Sequence, residues 1–386
     1  MTKNLFVSRL PYLDVLRIAA TVAVVLIHVC TPLVTAFGNI PESSWWLGHI
    51  FDSLSRWAVP VFVMISGAVL LDSDHLEQAA LKSRTRSPLS PLSLEALWQF
   101  FTKRFWRLAV PLFGWTVLYG WYYHLFRGDP LSLSFSLRRI IFDQPYEHLY
   151  FLWLLLELAI ITPWLKFLIK EITLSSTAFL TGLFFFITLF WTPLRLLFPF
   201  FIPYIGYYLA GYVLKKVQVQ NSAHISLITG ATFLAAMTII FGTWLTFTGH
   251  IQLKDPLLFY DYTKALVVLM SLGVFVLVKH ICQDASVARV LHRHSMILGL
   301  LSSVTFGVYL IHPVVIDVLN HGAGISVMSG TYTLLRIVSV LFATLLLSGL
   351  LSYGIELVTQ RVRRFFSGTR YQLKDPHAQF PYTHKR

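Results

Sequence analysis

An arginine and a histidine share one face of the first long apolar stretch, LDVLRIAATVAVVLIH. Arg17 and His28 are eleven residues apart, which at about 100° per residue is within about 20° of three full helical turns. His28 would lie about 16 Å deeper than Arg17, near the middle of a hydrocarbon core about 30 Å thick. Because ionisable groups are costly there, the pair predicts chemistry conducted across the bilayer. The alternative is an interfacial arginine that snorkels and a histidine bonded to a neighbouring helix.

Two further groups of charges flank the apolar stretches. Asp14 precedes Arg17 by three residues, a spacing that allows an ion pair within a helix and could equally be a charge-compensated helix start. Lys103, Arg104 and Arg107 occur in FFTKRFWRLAVPLF. Arg104 and Arg107 are predicted to lie one turn apart and to face the same way, which suits phosphate oxygens. Anionic lipid headgroups are the other ligands that this cluster would bind.

Arg56 and His312 each stand near a proline in an apolar stretch. Arg56, in SRWAVPVFVMISG, is expected at the outer end of the second span, where it contacts a polar substrate or anchors the helix to lipid headgroups. His312 precedes Pro313 in TFGVYLIHP. It either orients a hydroxyl acceptor or binds backbone groups that the proline leaves free.

His148 and Glu157 belong to YEHLYFLWLLLELAIITP. His148 is expected at the outer end of the fourth span, and Glu157 about two turns deeper. Because an unpaired buried carboxylate is expensive, Glu157 should be protonated or partnered, with Arg336 or His28 as candidates. A proton relay and a structural pair are both open.

The composition requires helices in a membrane to position these residues. The chain has 386 residues, of which 56% are hydrophobic and 13% charged. We predict an all-α, polytopic bundle of about ten transmembrane helices, the first retained with no signal peptide. The spans are expected at about 11–36, 50–71, 105–125, 148–168, 176–193, 199–214, 225–248, 260–281, 297–318 and 332–357.

Lysine and arginine concentrate in alternate loops, which places both termini in the cytoplasm. This distribution explains the net charge of +13 without a nucleic-acid partner. We divide the chain into a transmembrane domain, residues 1–360, and a basic cytoplasmic tail, residues 361–386, expected to be disordered. Cys30 and Cys282 are expected on opposite sides and unpaired. We expect no metal ion.

Together these motifs resemble those of the acyltransferase family 3 membrane enzymes. The matching stretches are LDVLRIAATVAVVLIH (an Arg/Lys-x10-His signature), SRWAVPVFVMISG, RFWR (Arg-x-x-Arg), HLYFLWLLLELAIITP and TFGVYLIHP. Within the family, the chain looks closest to the bacterial surface-polysaccharide O-acyltransferases, the group of the enterobacterial common antigen O-acetyltransferase. Ala159 stands where many relatives place an aromatic residue.

The resemblance implies a multi-pass protein of the bacterial inner membrane. It would move an acyl group, most simply acetyl, from cytoplasmic acyl-CoA to a hydroxyl of a surface or lipid-linked glycan, with no permanently bound cofactor. Arg104, Arg107 and Lys103 would then grip CoA phosphates, and Arg17, oriented by Asp14, would lie near the pantetheine path. His28 would be the general base or a transient acyl carrier.

Weaker candidates for contacts with the acceptor are Arg56, His148, Glu157 and His312. A secondary transporter is the alternative, because intramembrane His, Glu and Arg also form proton relays. A non-catalytic glycan-binding subunit and a succinyl or other acyl donor also remain open. The oligomeric state does not follow from the sequence.

Overall fold

The computed structural model describes residues 10–72, 94–127, 148–189, 201–322 and 332–372. These residues form helices and connecting turns without a strand. The α-helices are α1 (Pro11–Thr35), α2 (Glu42–Ser55), α3 (Ala58–Leu70), α4 (Leu94–Arg104), α5 (Val110–Arg127), α6 (Tyr150–Glu171), α7 (Leu174–Leu189), α8 (Ile205–Lys216), α9 (Ser222–Phe247), α10 (Ala265–Gln283), α11 (Ala285–Arg293), α12 (Ser295–Asp317) and α13 (Thr333–Gln372). Short π turns cover Phe105–Ala109 and Val318–Gly322, and 3₁₀ turns cover Ile202–Tyr204 and Leu258–Tyr260.

Seven helical stretches in the described part are long and apolar enough to cross a membrane, by length and composition. They are Pro11–Thr35, Glu42–Leu70, Tyr150–Glu171, Ser222–Phe247, Leu258–Gln283, Ser295–His321 and Thr333–Thr359. The protein is therefore an all-α, multi-pass membrane protein. The three other predicted spans coincide with the π turn and α5, with the shorter apolar helix α7, and with α8. The count of ten remains a prediction, as do the positions of the termini.

Helix α1 is the centre of the bundle. Pro11 occupies its first turn, where a missing N–H costs nothing, and Asp14 in the same turn favours the positive end of the helix. The helix packs against α2, α3, α10, α12 and α13. Since both candidate residues of the opening signature belong to α1, the bundle surrounds them with side chains from both ends of the chain.

Two glycines bring the backbones of α3 and α8 into direct contact. A Cβ added to Gly67 would lie 1.8 Å from the carbonyl oxygen of Tyr208, and one added to Gly211 would lie 1.8 Å from that of Met64. Small residues permit such approach between membrane helices, where dispersion contacts supply much of the attraction. The two contacts are reciprocal and fasten α3 to α8.

Lysines join the ends of α3, α8 and α10. Lys215 and Lys216 place their Nζ atoms 2.7 and 2.5 Å from the carboxylate oxygens of Asp72. The buried Nζ of Lys279 on α10 donates to the carbonyls of Leu214, Lys215 and Val217, at 2.6–2.9 Å. A cation there satisfies the last carbonyls of α8 and is favoured by its dipole.

The last helix extends beyond the predicted end of the transmembrane domain. Helix α13 continues to Gln372, past Arg361. Residues 373–386 of the predicted tail lie outside the described residues. The division of the chain at residue 360 therefore remains a prediction.

Candidate active site

The predicted pair at the start of α1 forms and includes a third member. Arg17 Nη1 lies 3.2 Å from Asp14 Oδ1 and donates to Ser302 Oγ on α12 at 2.8 Å. The Ser302 hydroxyl donates in turn to Asp14 Oδ1 at 2.6 Å. The side chain of Arg17 keeps 32% of its surface exposed. The guanidinium is therefore held in one orientation, with about a third of the side chain exposed.

His28 is one of three histidines that meet inside the bundle. Its ring centre lies 4.9 Å from that of His312 and 6.4 Å from that of His148, and those two are 5.7 Å apart. The rings come from α1, from the turn before α6 and from α12. His148 and His312 are buried, whereas His28 is only half-buried. Part of the His28 side chain therefore remains accessible.

The ring of His312 is fixed by backbone carbonyls of its own helix. Nδ1 lies 2.7 Å from the carbonyl oxygen of Tyr309 and 3.1 Å from that of Val308. The residue four positions after Tyr309 is Pro313, which has no N–H to donate to that carbonyl. The prediction that His312 binds backbone freed by the proline is confirmed. Its Nε2 is buried and has no hydrogen-bond partner in the described part of the chain.

His148 is held from the side of α12 and α5. Tyr309 donates its hydroxyl to the carbonyl oxygen of His148, and the ring of Tyr119 lies 4.9 Å from the imidazole. Tyr119 itself donates to the carbonyl of Leu310 at 2.9 Å. As in His312, the Nε2 atom of His148 is buried and unpartnered among the described residues. Two open imidazole nitrogens therefore accompany His28.

The expectation that Arg56 stands at the end of its span is wrong. The apolar stretch begins at Glu42, not near residue 50, and Arg56 stands at the break between α2 and α3. Its Nη2 lies 2.5 Å from Oδ1 of the fully buried Asp52, and its Cζ lies 3.9 Å above the centre of the Tyr260 ring. Arg56 is close enough to His28 to interact electrostatically. It therefore belongs to the interior of the site.

Sequence reasoning missed the polar network beneath Arg56. His49 Nδ1 accepts from the Tyr260 hydroxyl at 2.6 Å, and its Nε2 donates to the carbonyl of Ile240 at 2.9 Å. Ser53 donates to the same tyrosine hydroxyl at 2.8 Å. The one signal available in the sequence was the spacing of Asp52 and Arg56 in FDSLSR, four residues apart on a helix. Tyr260 carried no signal, because only the fold brings it to α2.

Glu157 has a different partner from the two that were predicted. Its Oε1 accepts from the indole Nε1 of Trp153, one turn earlier on α6, at 2.9 Å. Among the described residues neither His28 nor Arg336 forms an ion pair with it. The structure therefore ties Glu157 to its own helix through Trp153.

The basic cluster lies where α4 passes into the π turn Phe105–Ala109. Arg104 is half-buried, with its Cζ 4.7 Å above the Phe100 ring, while Lys103 and Arg107 are exposed. Arg104 ends α4 and Arg107 lies within the π turn, so the regular α-helical spacing assumed for the two arginines does not run through both. That they face the same way remains a prediction. Within the described ranges no carboxylate pairs with any of the three cations. The cluster can therefore receive an anion.

No group of three or more His, Cys, Asp or Glu in the described residues is arranged to hold a metal ion. Cys30 and Cys282 are both free thiols. The chemistry that the described side chains themselves offer is proton transfer, nucleophilic attack and anion binding.

A family model described as an acyltransferase domain matches residues 10–353. This range includes α1, the basic cluster, the three histidines and nearly all of the membrane helices. Neither a curated protein nor a solved structure matches the chain. Because the match covers most of the sequence and runs through every candidate site, the chain belongs to the acyltransferase 3 family.

Proposed function

We propose that the protein is a membrane O-acyltransferase that moves an acyl group, most simply acetyl, from cytoplasmic acyl-CoA to a hydroxyl of a surface or lipid-linked glycan. The observation that carries this proposal is the convergence of His28, His148 and His312 inside the bundle, with His28 on the same helix as Arg17. Membership of an acyltransferase family supports the reaction class. Imidazole is the side chain best suited to proton transfer near neutral pH.

The donor would enter at the basic cluster. Arg104, Arg107 and Lys103 offer charge to the phosphates of CoA, and planar guanidinium groups donate paired hydrogen bonds to such oxygens. Arg17 would contact the pantetheine arm, and its orientation by Asp14 and Ser302 supports a positioning role. About 16 Å of helix then separate Arg17 from His28, a distance that an extended pantetheine chain can bridge.

His28 would act on the acyl group or on the acceptor hydroxyl. As general base it would take the hydroxyl proton, and as nucleophile it would carry the acyl group between the two half-reactions. Arg56, His148 and His312 surround it and would contact the acceptor. Glu157, bonded to Trp153, would contribute from farther along α6.

The cellular setting is part of the proposal. Both termini would face the cytoplasm of a bacterium, the protein would span its inner membrane, and the acceptor would be a polysaccharide of the type modified by the enterobacterial common antigen group. The apolar outer faces of helices such as α9 and α13, with Phe233 and Phe342 about two-thirds exposed, suit contact with lipid.

The test is transfer of label from acetyl-CoA to surface glycan in membranes that contain the wild type, His28→Ala or Arg104→Ala. Loss of labelled glycan in both variants at equal protein level is the expected result. Excess donor should restore Arg104→Ala and leave His28→Ala inactive. Full activity of His28→Ala contradicts the mechanism. Accumulation of substrate in vesicles without a covalent product identifies a transporter instead.

A further inference from the structure

The fixed tautomer of His312 limits what that residue can do. A neutral imidazole carries one proton, and the nitrogen that binds two carbonyl oxygens must hold it. Nδ1 of His312 is that nitrogen, since it lies within hydrogen-bond distance of the carbonyls of Val308 and Tyr309. Nε2 therefore has a lone pair and no proton. It is built to receive a hydrogen bond or a proton.

That lone pair is buried and lacks a donor among the described residues. His312 is completely buried, so bulk water does not satisfy Nε2. An acceptor left open in such a place is costly, and natural proteins satisfy it with a ligand or a bound water. The nearest aromatic neighbours are His28 at 4.9 Å and His148 at 5.7 Å, ring centre to ring centre. A hydroxyl bound near His28 is therefore the natural donor.

We propose that His312 is the general base that takes the proton of the acceptor hydroxyl, through Nε2. This inference rests on the proposed acyltransferase function and assigns one of its steps. In that step the O–H bond breaks as its proton moves to Nε2, and the oxygen forms a bond to the acyl carbon. The bond between the acyl carbon and the sulfur of CoA breaks. The CoA thiolate then takes up the proton that Nε2 accepted, which returns His312 to its neutral form.

Pro313 makes this assignment possible. In a regular α-helix the amide of residue 313 would donate to the carbonyl of Tyr309. Proline has no N–H, so that carbonyl is free to accept from Nδ1 at 2.7 Å. The imidazolium formed by proton transfer keeps the same bond, because its Nδ1 stays protonated. The two carbonyls thus orient the ring before the reaction and stabilise its charge during it.

With proton acceptance at His312, His28 has a different task. His28 makes no hydrogen bond to another described residue, and its ring remains half-buried. It is free to contact the acyl group directly, as a hydrogen-bond donor to the acyl carbonyl. Arg56 is near enough to His28 to interact with it electrostatically. The titratable groups nearest to the proposed base are thus the imidazoles of His28 and His148, with the Arg56 guanidinium beyond them.

The decisive variant is His312→Asn in the full-length protein. The asparagine amide can occupy the place of Nδ1 and donate to the same carbonyls, but it offers nothing at the position of Nε2. We expect transfer from labelled acetyl-CoA to glycan to fall by about 100-fold or more, with the donor KM and the thermal stability of the wild type. His294→Asn, at the exposed start of the same helix, is the matched control and should remain active. Wild-type transfer by His312→Asn overturns the assignment.

A second variant keeps every side chain of the site. Pro313→Ala restores a backbone N–H that competes for the Tyr309 carbonyl, and it does not weaken the helix. We expect slower transfer at an unchanged donor KM, which holds even if His312→Asn fails to fold. Unchanged transfer shows that the orientation of His312 is irrelevant and overturns the inference. Absence of transfer by the wild type contradicts the proposed function itself.

Discussion

The imidazole of His28 lies 4.9 Å from that of His312, although one residue belongs to α1 and the other to α12, much later in the chain. Neighbours of both residues in the chain, Val29 on α1 and Ile311 on α12, belong to one buried apolar cluster. Two imidazoles at this distance can contact one small group between them. From this proximity we expect the two residues to act in the same step.

We predict that substitutions of His28 and His312 are not additive. When two groups act in the same chemical step, removing either one already abolishes most of their joint contribution to the rate. The second substitution therefore lowers the rate of acyl transfer little further. His28→Gln, His312→Gln and the double variant should therefore show similar residual acyl transfer. Glu157→Gln combined with His28→Gln is the comparison, because Glu157 is bonded to Trp153. Multiplicative losses for the two histidines show that they act independently.

Arg104→Ala and Arg107→Ala should raise the KM for acyl-CoA with little change in kcat. Loss of one charge-assisted hydrogen bond to phosphate corresponds to about 10-fold or more in affinity. Raising the ionic strength should weaken donor binding in the wild type, and less so in the variants. Initial rates over a range of donor concentrations, at low and high ionic strength, give the KM and kcat of each variant. Arg293→Ala, on the exposed helix α11, should leave the KM unchanged.

Gly67→Ala and Gly211→Ala should destabilise the protein by separating α3 from α8. The added methyl group meets a carbonyl oxygen of the facing helix at 1.8 Å, so the backbone must move. Overpacking of this kind costs about 1–3 kcal/mol or more. Thermal unfolding in detergent is the measurement. Gly114→Ala and Gly230→Ala have nothing within 4 Å and should match the wild type.

Asp52→Asn should be strongly destabilising, because it leaves the Arg56 guanidinium without its buried counter-charge. Removal of one partner of a buried ion pair costs about 3–5 kcal/mol. The double variant Asp52→Asn, Arg56→Gln should recover part of that loss. Glu171→Gln, at the exposed end of α6, serves as the control in the same unfolding assay. A loss for Asp52→Asn no greater than the control contradicts the importance of the pair.

Stability should depend on pH through Asp72, which follows α3 outside the apolar stretch. Partial burial raises its pKa, but hydrogen bonds from Lys215 and Lys216 outweigh this and bring the pKa below its ordinary value of 3.8. A carboxyl whose folded pKa is lowered contributes stability above its ordinary pKa and loses it as the pH falls. Asp72→Asn should therefore melt below the wild type at pH 7, and the difference should shrink below about pH 4. A difference in melting temperature that stays constant with pH contradicts this prediction.

The spacing of residues in the sequence was enough to predict part of the candidate site. Asp14 and Arg17 are three residues apart, and one helical turn brings them together whatever surrounds them. The bond between His312 and backbone freed by Pro313 follows from the missing N–H in the same way. Long apolar runs likewise indicate membrane helices, because length and hydropathy are properties of the segment alone.

Contacts between segments far apart in the chain could not be predicted from the sequence. Ser302 joins Asp14 and Arg17 only because α12 packs on α1, and Tyr260 reaches Arg56 only through the packing of the bundle. The depth of Arg56 was misjudged because the helix starts at Glu42, in a stretch with a charge and two serines that looks like a loop. A π turn at Phe105–Ala109 likewise leaves no clear pattern, since it depends on how α4 and α6 pack against it.

The reciprocal glycine contacts between α3 and α8 also limit how the protein can move. A backbone carbonyl seated against a glycine on each side prevents the two helices from sliding or rotating past one another. They must travel as one rigid body. Any opening that admits a donor or releases a product has to take place at other boundaries of the bundle, such as the π turn between α4 and α5.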